Sequence, residues 1–140
     1  YLEKATAKAL EVLEQGAPNG FFLMIESAII DGYGHNNDSE GMIIEMQEFD
    51  KTLKMLAKYV DTHPNTLLVV TADHETGGTG VSYKGYNVGE KVPVQLSFIT
   101  KGHTGTVVPI FAYGAGAKEF AGIMKNTEIP VKIEKLISGK

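Results

Sequence analysis

Two short apolar runs bracket a long amphipathic stretch, and this arrangement constrains the fold more than any other feature. Phe21, Phe22, Leu23, Met24 and Ile25 follow the turn residues Pro18, Asn19 and Gly20. Leu67, Leu68, Val69, Val70 and Thr71 follow Pro64 and Asn65. Each run is short, apolar and bounded by turn residues, which predicts a buried strand. Between them Ile43, Met46, Phe49, Leu53, Leu56 and Val60 recur at steps of three and four, the apolar face of a helix. Asp38 or Ser39 can cap that helix. Leu2, Ala5, Ala9, Val12 and Leu13 predict an earlier helix over 2–15, stopped by Gly16 and Pro18. Beyond the second run, 76–106 reads as a glycine-rich excursion with a small hairpin. A strand over 107–112 follows, then a short helix around 117–123 and a last one around 130–137. Strands alternating with helices predict a single α/β domain over 1–140, a three-layer α/β/α sandwich on a mostly parallel sheet.

Composition narrows the function. Apolar residues make up 43% of the 140 and charged residues 21%, which excludes a disordered chain. No apolar stretch is long enough for a transmembrane helix. The net charge of −4 carries no block of like sign, which argues against nucleic acid and anionic membrane as partners. Cysteine is absent, so disulfide scaffolds and thiolate zinc fingers are excluded. All 13 basic residues are Lys, and the chain therefore lacks the guanidinium fork that usually clamps a phosphoryl group. Tyr1 opens the chain without an apolar signal core, which reads as a cut piece or a mature form.

Carboxylates and imidazoles collect near the expected strand ends. Glu26, Asp31 and His35 follow the first run, Asp73 and His74 follow the second, and His103 precedes the third. Crevices of open α/β sheets lie at such ends. Oxygen and nitrogen donors without thiolates suit zinc, or magnesium where oxygens dominate. Gly32 and Gly34 disfavour a helix and point to a loop chelate for Asp31 and His35 rather than an exposed i, i+4 pair. Asp73 and His74 reach one site only once their strand has ended, the alternative being a helix cap. Glu26, at the end of an apolar run, needs a metal or hydrogen-bond partner. His103 between glycines fits a ligand or an ordinary loop residue equally. His63, before Pro64, reads as solvent-facing, and Lys101 as a surface lysine.

These segments resemble the alkaline phosphatase family. The likeness rests on Phe21 to Glu26 with Ile30, Asp31 and His35, on the Val70 to Gly78 run Val-Thr-Ala-Asp-His-Glu-Thr-Gly-Gly, and on Gly102-His103-Thr104-Gly105. The resemblance implies a metal-dependent phosphomonoesterase in which a serine attacks the ester, two zinc ions stabilise the attacking and leaving oxygens, and a phosphoserine is hydrolysed. It implies that Asp31, His35 and His103 hold one zinc, Asp73 and His74 a second, and Glu26 a magnesium ion. It also implies a phosphate monoester as substrate, a homo-oligomer, and a periplasmic or extracellular location.

The departures from the family pattern matter as much. The family's nucleophile lies in an Asp-Ser segment of its N-terminal half. Here Asp38-Ser39 is the one such pair, and its position between His35 and a helix makes it a cap. The bridging Asp of the second zinc, the magnesium-site Thr and Asp, and the phosphate-binding Arg have no counterparts. The chain therefore looks like the C-terminal part of an alkaline phosphatase, inactive alone, with the missing N-terminal half as its partner. Its uncovered face predicts self-association. Two other readings stand beside this one: a related phosphodiesterase, sulfatase or phosphomutase, and a non-catalytic metal-binding module.

Overall fold

The structure is a computed structural model that describes residues 1–83, 85, 89 and 91–139. Three helices open it. Helix α1 spans Leu2–Gly16 and buries Thr6 and Leu10 against α3, which spans Ser39–Thr62. The predicted face of α3 is the one used in part: Leu56 and Val60 are buried with Met42 and Thr52. Asp38 caps it, its carboxylate accepting from the Gly41 N–H at 3.0 Å. Tyr59 of α3 stacks on His63, which is exposed as expected and whose ring lies 3.3 Å from Glu14 of α1. Burial and a hydrogen bond to Glu14 push the Tyr59 phenol up to about 12.

Between α1 and α3 lies α2, Ile29–Asn36, where a loop is expected. Gly32 and Gly34 do not break it, and Gly34 has a packing reason to be glycine. A Cβ there would sit 3.0 Å from the Thr76 methyl carbon, so the small residue lets α2 approach the 75–76 strand. Asn37 closes α2 in the left-handed region at φ 55°, a conformation Asn tolerates.

The expected mostly parallel sandwich is not what the chain forms. Among the described residues the strands make three two-stranded antiparallel ladders. Strand β1, Leu67–Thr71, pairs with β6, Ile110–Gly114. Strand β2, Glu75–Thr76, pairs with β5, His103–Thr104, and β3, Gly80–Tyr83, with β4, Val94–Ser97. The physical reason is the connection. Parallel neighbours need a crossover, usually a helix, whereas the described residues between β1 and β6 contain only short strands and turns. The hairpin expected inside 76–106 corresponds to the β3–β4 ladder; 84, 86–88 and 90 of that excursion lie outside the described residues. The third strand begins later than expected, at Ile110, and the short helix is a 3₁₀ turn over Ala117–Phe120. Helix α4, Glu128–Ser138, accommodates Pro130 in its first turn, where no N–H is missed.

The strand expected over 21–25 is absent as well. Phe21, Leu23 and Ile25 are half-buried while Phe22 and Met24 are exposed, the alternation of a strand. Yet the segment joins no ladder. It is patterned for a sheet whose neighbouring strand is not among the described elements.

The core is correspondingly thin. Leu10, Met42, Leu56, Val60 and Phe120 are the buried apolar residues among those described. The chain exposes 10192 Å². A folded monomer of its mass exposes about 7,100 Å² by the usual size scaling. No described helix is long and apolar enough to cross a membrane.

Candidate metal centre

Helix α2 and strand β5 bring three predicted ligands to one point. Asp31 and His35 lie one turn apart on α2, with Asp31 Oδ2 3.4 Å from His35 Nε2. The i, i+4 spacing that would mark a common surface pair thus presents both donors on one helical face. His103, at the start of β5, places its Nε2 3.1 Å from His35 Nε2 and 3.5 Å from Asp31 Oδ1. All three donors fall within 4.8 Å of one another.

The surrounding acceptors fix much of the protonation. His35 Nδ1 lies 2.6 Å from the Lys101 carbonyl, which can only accept. The ring proton therefore sits on Nδ1, and the Nε2 lone pair faces His103. Lys101 contributes its backbone to the site. The Thr76 hydroxyl donates to Asp31 Oδ1 at 2.6 Å. Having one proton, it can only accept from His74 Nδ1, 3.2 Å away, so that nitrogen carries a ring proton. The Thr76 hydrogen bond is the largest cause holding the Asp31 carboxyl below its ordinary range, with the His35, His103 and His74 rings adding to it against partial burial.

This donor set fits a divalent cation. An ionised carboxylate and two imidazole nitrogens converge on a common point, where lone pairs repel unless a proton or a cation lies between them. Nitrogen and oxygen donors with a carbonyl holding the far ring nitrogen match the usual surroundings of zinc.

The other candidates are gathered less completely. The His74 ring stacks on His103 at a centroid distance of 3.6 Å, beside the triad. The Asp73 side chain is 88% exposed, and its carboxylate lies 3.3 Å from His74 Nε2. Glu26 is exposed and is not drawn into the cluster. Its neighbour Ser27 instead donates to Glu45 at 3.2 Å. Three supporting residues escape the sequence reading: Thr76, Glu75 and Thr104. Their signal was position, since Glu75 and Thr76 lie inside the Val70 to Gly78 segment and Thr104 inside the Gly102 to Gly105 segment.

The comparisons settle the family. The profile of the family described as "Alkaline phosphatase" matches residues 1–98. The chain belongs to the alkaline phosphatase family. His103 lies just beyond the matched residues, so its place at the centre rests on the geometry above. Among curated relatives, alkaline phosphatase 3 of Bacillus subtilis is 27% identical across 97% of this chain and 44% of its own length. Streptomycin-6-phosphate phosphatase of Streptomyces griseus is 32% identical across 91% of this chain and 33% of its own. The solved alkaline phosphatase from the Antarctic bacterium TAB5 superposes with a TM-score of 0.88 at 38% identity, covering all of this chain and 42% of that one. A mutant of the TAB5 enzyme is described with Mg bound in its M3 site. This chain thus spans less than half the length of these relatives.

Proposed function

We propose that this chain supplies the metal-binding part of a phosphomonoester hydrolase, with Asp31, His35 and His103 as ligands of a zinc ion. The observation that carries the proposal is the convergence of their three donors within 4.8 Å. Asp73 and His74 belong to a second, less complete zinc position, and Glu26 to a magnesium position completed from outside the chain. Bound metal would supply Lewis-acid polarisation of a phosphoryl oxygen and stabilise the attacking and leaving oxygens. The chain's own residues prepare that site. The Lys101 carbonyl holds the proton of His35 on Nδ1, and Thr76 keeps Asp31 ionised and the His74 ring proton on Nδ1 as well. The nucleophile and the phosphate clamp come from elsewhere on this reading: Asp38 is spent on the α3 N-terminus, and the chain has no Arg. The relatives of known name are phosphatases, which favours a monoester over a diester or sulfate ester. A periplasmic or extracellular setting follows from the same reading.

The test is hydrolysis of an aryl phosphate, with zinc and magnesium at alkaline pH, by the 140-residue chain alone and after the remaining part of a family member is supplied. The proposal expects no turnover alone and turnover on complementation, lost with His35→Ala. Turnover by the chain alone would contradict it, as would a preference of the complemented enzyme for diesters or sulfates.

A further inference from the structure

Glu75 follows the Asp73-His74 pair directly, and its carboxylate would be a natural third ligand. Both of its oxygens already accept hydrogen bonds. Oε1 accepts from the Thr79 N–H at 2.7 Å, and Oε2 accepts from the Gly78 N–H at 3.1 Å and from the Thr104 hydroxyl. Those hydrogen bonds, that of Thr104 first, hold the carboxyl below its ordinary range. Two of its partners belong to the turn after β2, and the third belongs to β5.

His103 reaches the centre from across a long excursion, on a strand of two residues. The β2–β5 ladder sets Thr76 opposite His103 and Glu75 opposite Thr104. Three further backbone bonds join the same turn to the residues before β5: the Gly77 N–H donates to the Gly102 carbonyl at 2.9 Å, and the Ile99 and Thr100 N–H groups donate to the Gly77 carbonyl at 3.0 and 3.1 Å. So short a ladder defines its register weakly on backbone pairing alone. A slip of one residue would turn His103 to the opposite face.

We infer that Glu75 is a positioning residue: its carboxylate clamps Thr104 to the turn after β2 and thereby fixes the His103 imidazole beside Asp31, His35 and His74. The inference rests on the proposed metal centre for its functional meaning, while the clamp itself exists without metal. Glu75→Gln keeps size and shape but replaces one acceptor oxygen with a donor nitrogen, so the clamp cannot be complete. Thr104→Val removes the hydroxyl with little change in volume, and Thr104→Ser restores it.

The experiment has two readouts on the 140-residue chain. In the metal-free protein, the ring-proton NOE between His74 and His103, whose centroids are 3.6 Å apart, reports the position of His103. It should be strong in wild type and Thr104→Ser and lost in Glu75→Gln and Thr104→Val. In zinc titrations, Glu75→Gln and Thr104→Val should bind about 10- to 100-fold more weakly, the usual effect of removing an outer partner of a ligand, with Thr104→Ser close to wild type. An NOE retained in both defective variants would overturn the inference, whatever zinc does. Wild type that shows the NOE but binds no zinc would overturn the metal centre and leave the clamp to be judged by the NOE alone.

Discussion

Thr76→Val isolates the hydroxyl that joins the two groups of candidate ligands. Valine matches threonine in shape, so the contact with Gly34 survives, and the hydrogen bonds to Asp31 and His74 do not. A hydrogen bond to a charged group contributes about 1.5–3 kcal/mol. Asp31 is partly open, its side chain 44% exposed, which points to the lower end of that range. About 1.4 kcal/mol is tenfold in affinity, so zinc binding should weaken about tenfold. Isothermal titration with a competing chelator measures this, with Thr76→Ser expected within about threefold of wild type, since it keeps the hydroxyl. The same variant has a pH signature. Thr76 is the largest cause of the lowered Asp31 pKa, so its removal moves that pKa up. The stabilisation Asp31 gives the metal-free fold is present above its unfolded pKa and lost as pH falls through its folded pKa. In Thr76→Val that stabilisation is smaller and its loss is complete at a higher pH, and the carboxyl ¹³C titration of Asp31 moves up accordingly. Unchanged zinc affinity together with an unchanged Asp31 titration would refute the role given to the hydroxyl.

Other outcomes follow from the packing. With 10192 Å² exposed against about 7,100 Å² for a compact monomer, the chain should self-associate at micromolar concentration; Phe22→Lys with Met24→Lys should shift it towards monomer in sedimentation velocity, and a wild-type monomer that binds no apolar dye would contradict this. Asp38→Ala should cost about 1 kcal/mol in chemical denaturation through loss of the α3 cap, and unchanged stability would contradict the cap.

The helices were legible because amphipathic spacing is a local property. The steps along α3 and the Asp38 cap required no knowledge of partners. Helix α2 was not legible: Gly34 reads as a breaker in isolation, and its reason for being small, the approach of Thr76, is a tertiary contact from 42 positions later in the sequence. Strand direction failed for a similar cause. Apolar runs identify strands but not their neighbours, and β1 meets β6 rather than the 21–25 run. The triad Asp31, His35 and His103 was named by residue type and family motif, and the fold brings it together. Asp73 and Glu26, named on the same grounds, stay exposed. Glu75 shows the reverse failure, a carboxylate inside a ligand motif whose oxygens are consumed by Thr79, Gly78 and Thr104.

The central claim is that Asp31, His35 and His103 hold one metal ion. Anomalous diffraction at the zinc edge, from crystals of the zinc-loaded chain, tests it without reference to activity. The account predicts a peak at about 2.0–2.2 Å from His35 Nε2, His103 Nε2 and an Asp31 carboxylate oxygen, the usual zinc–ligand distances. Zinc found only away from these three residues, or no peak in crystals grown with excess zinc, would contradict it.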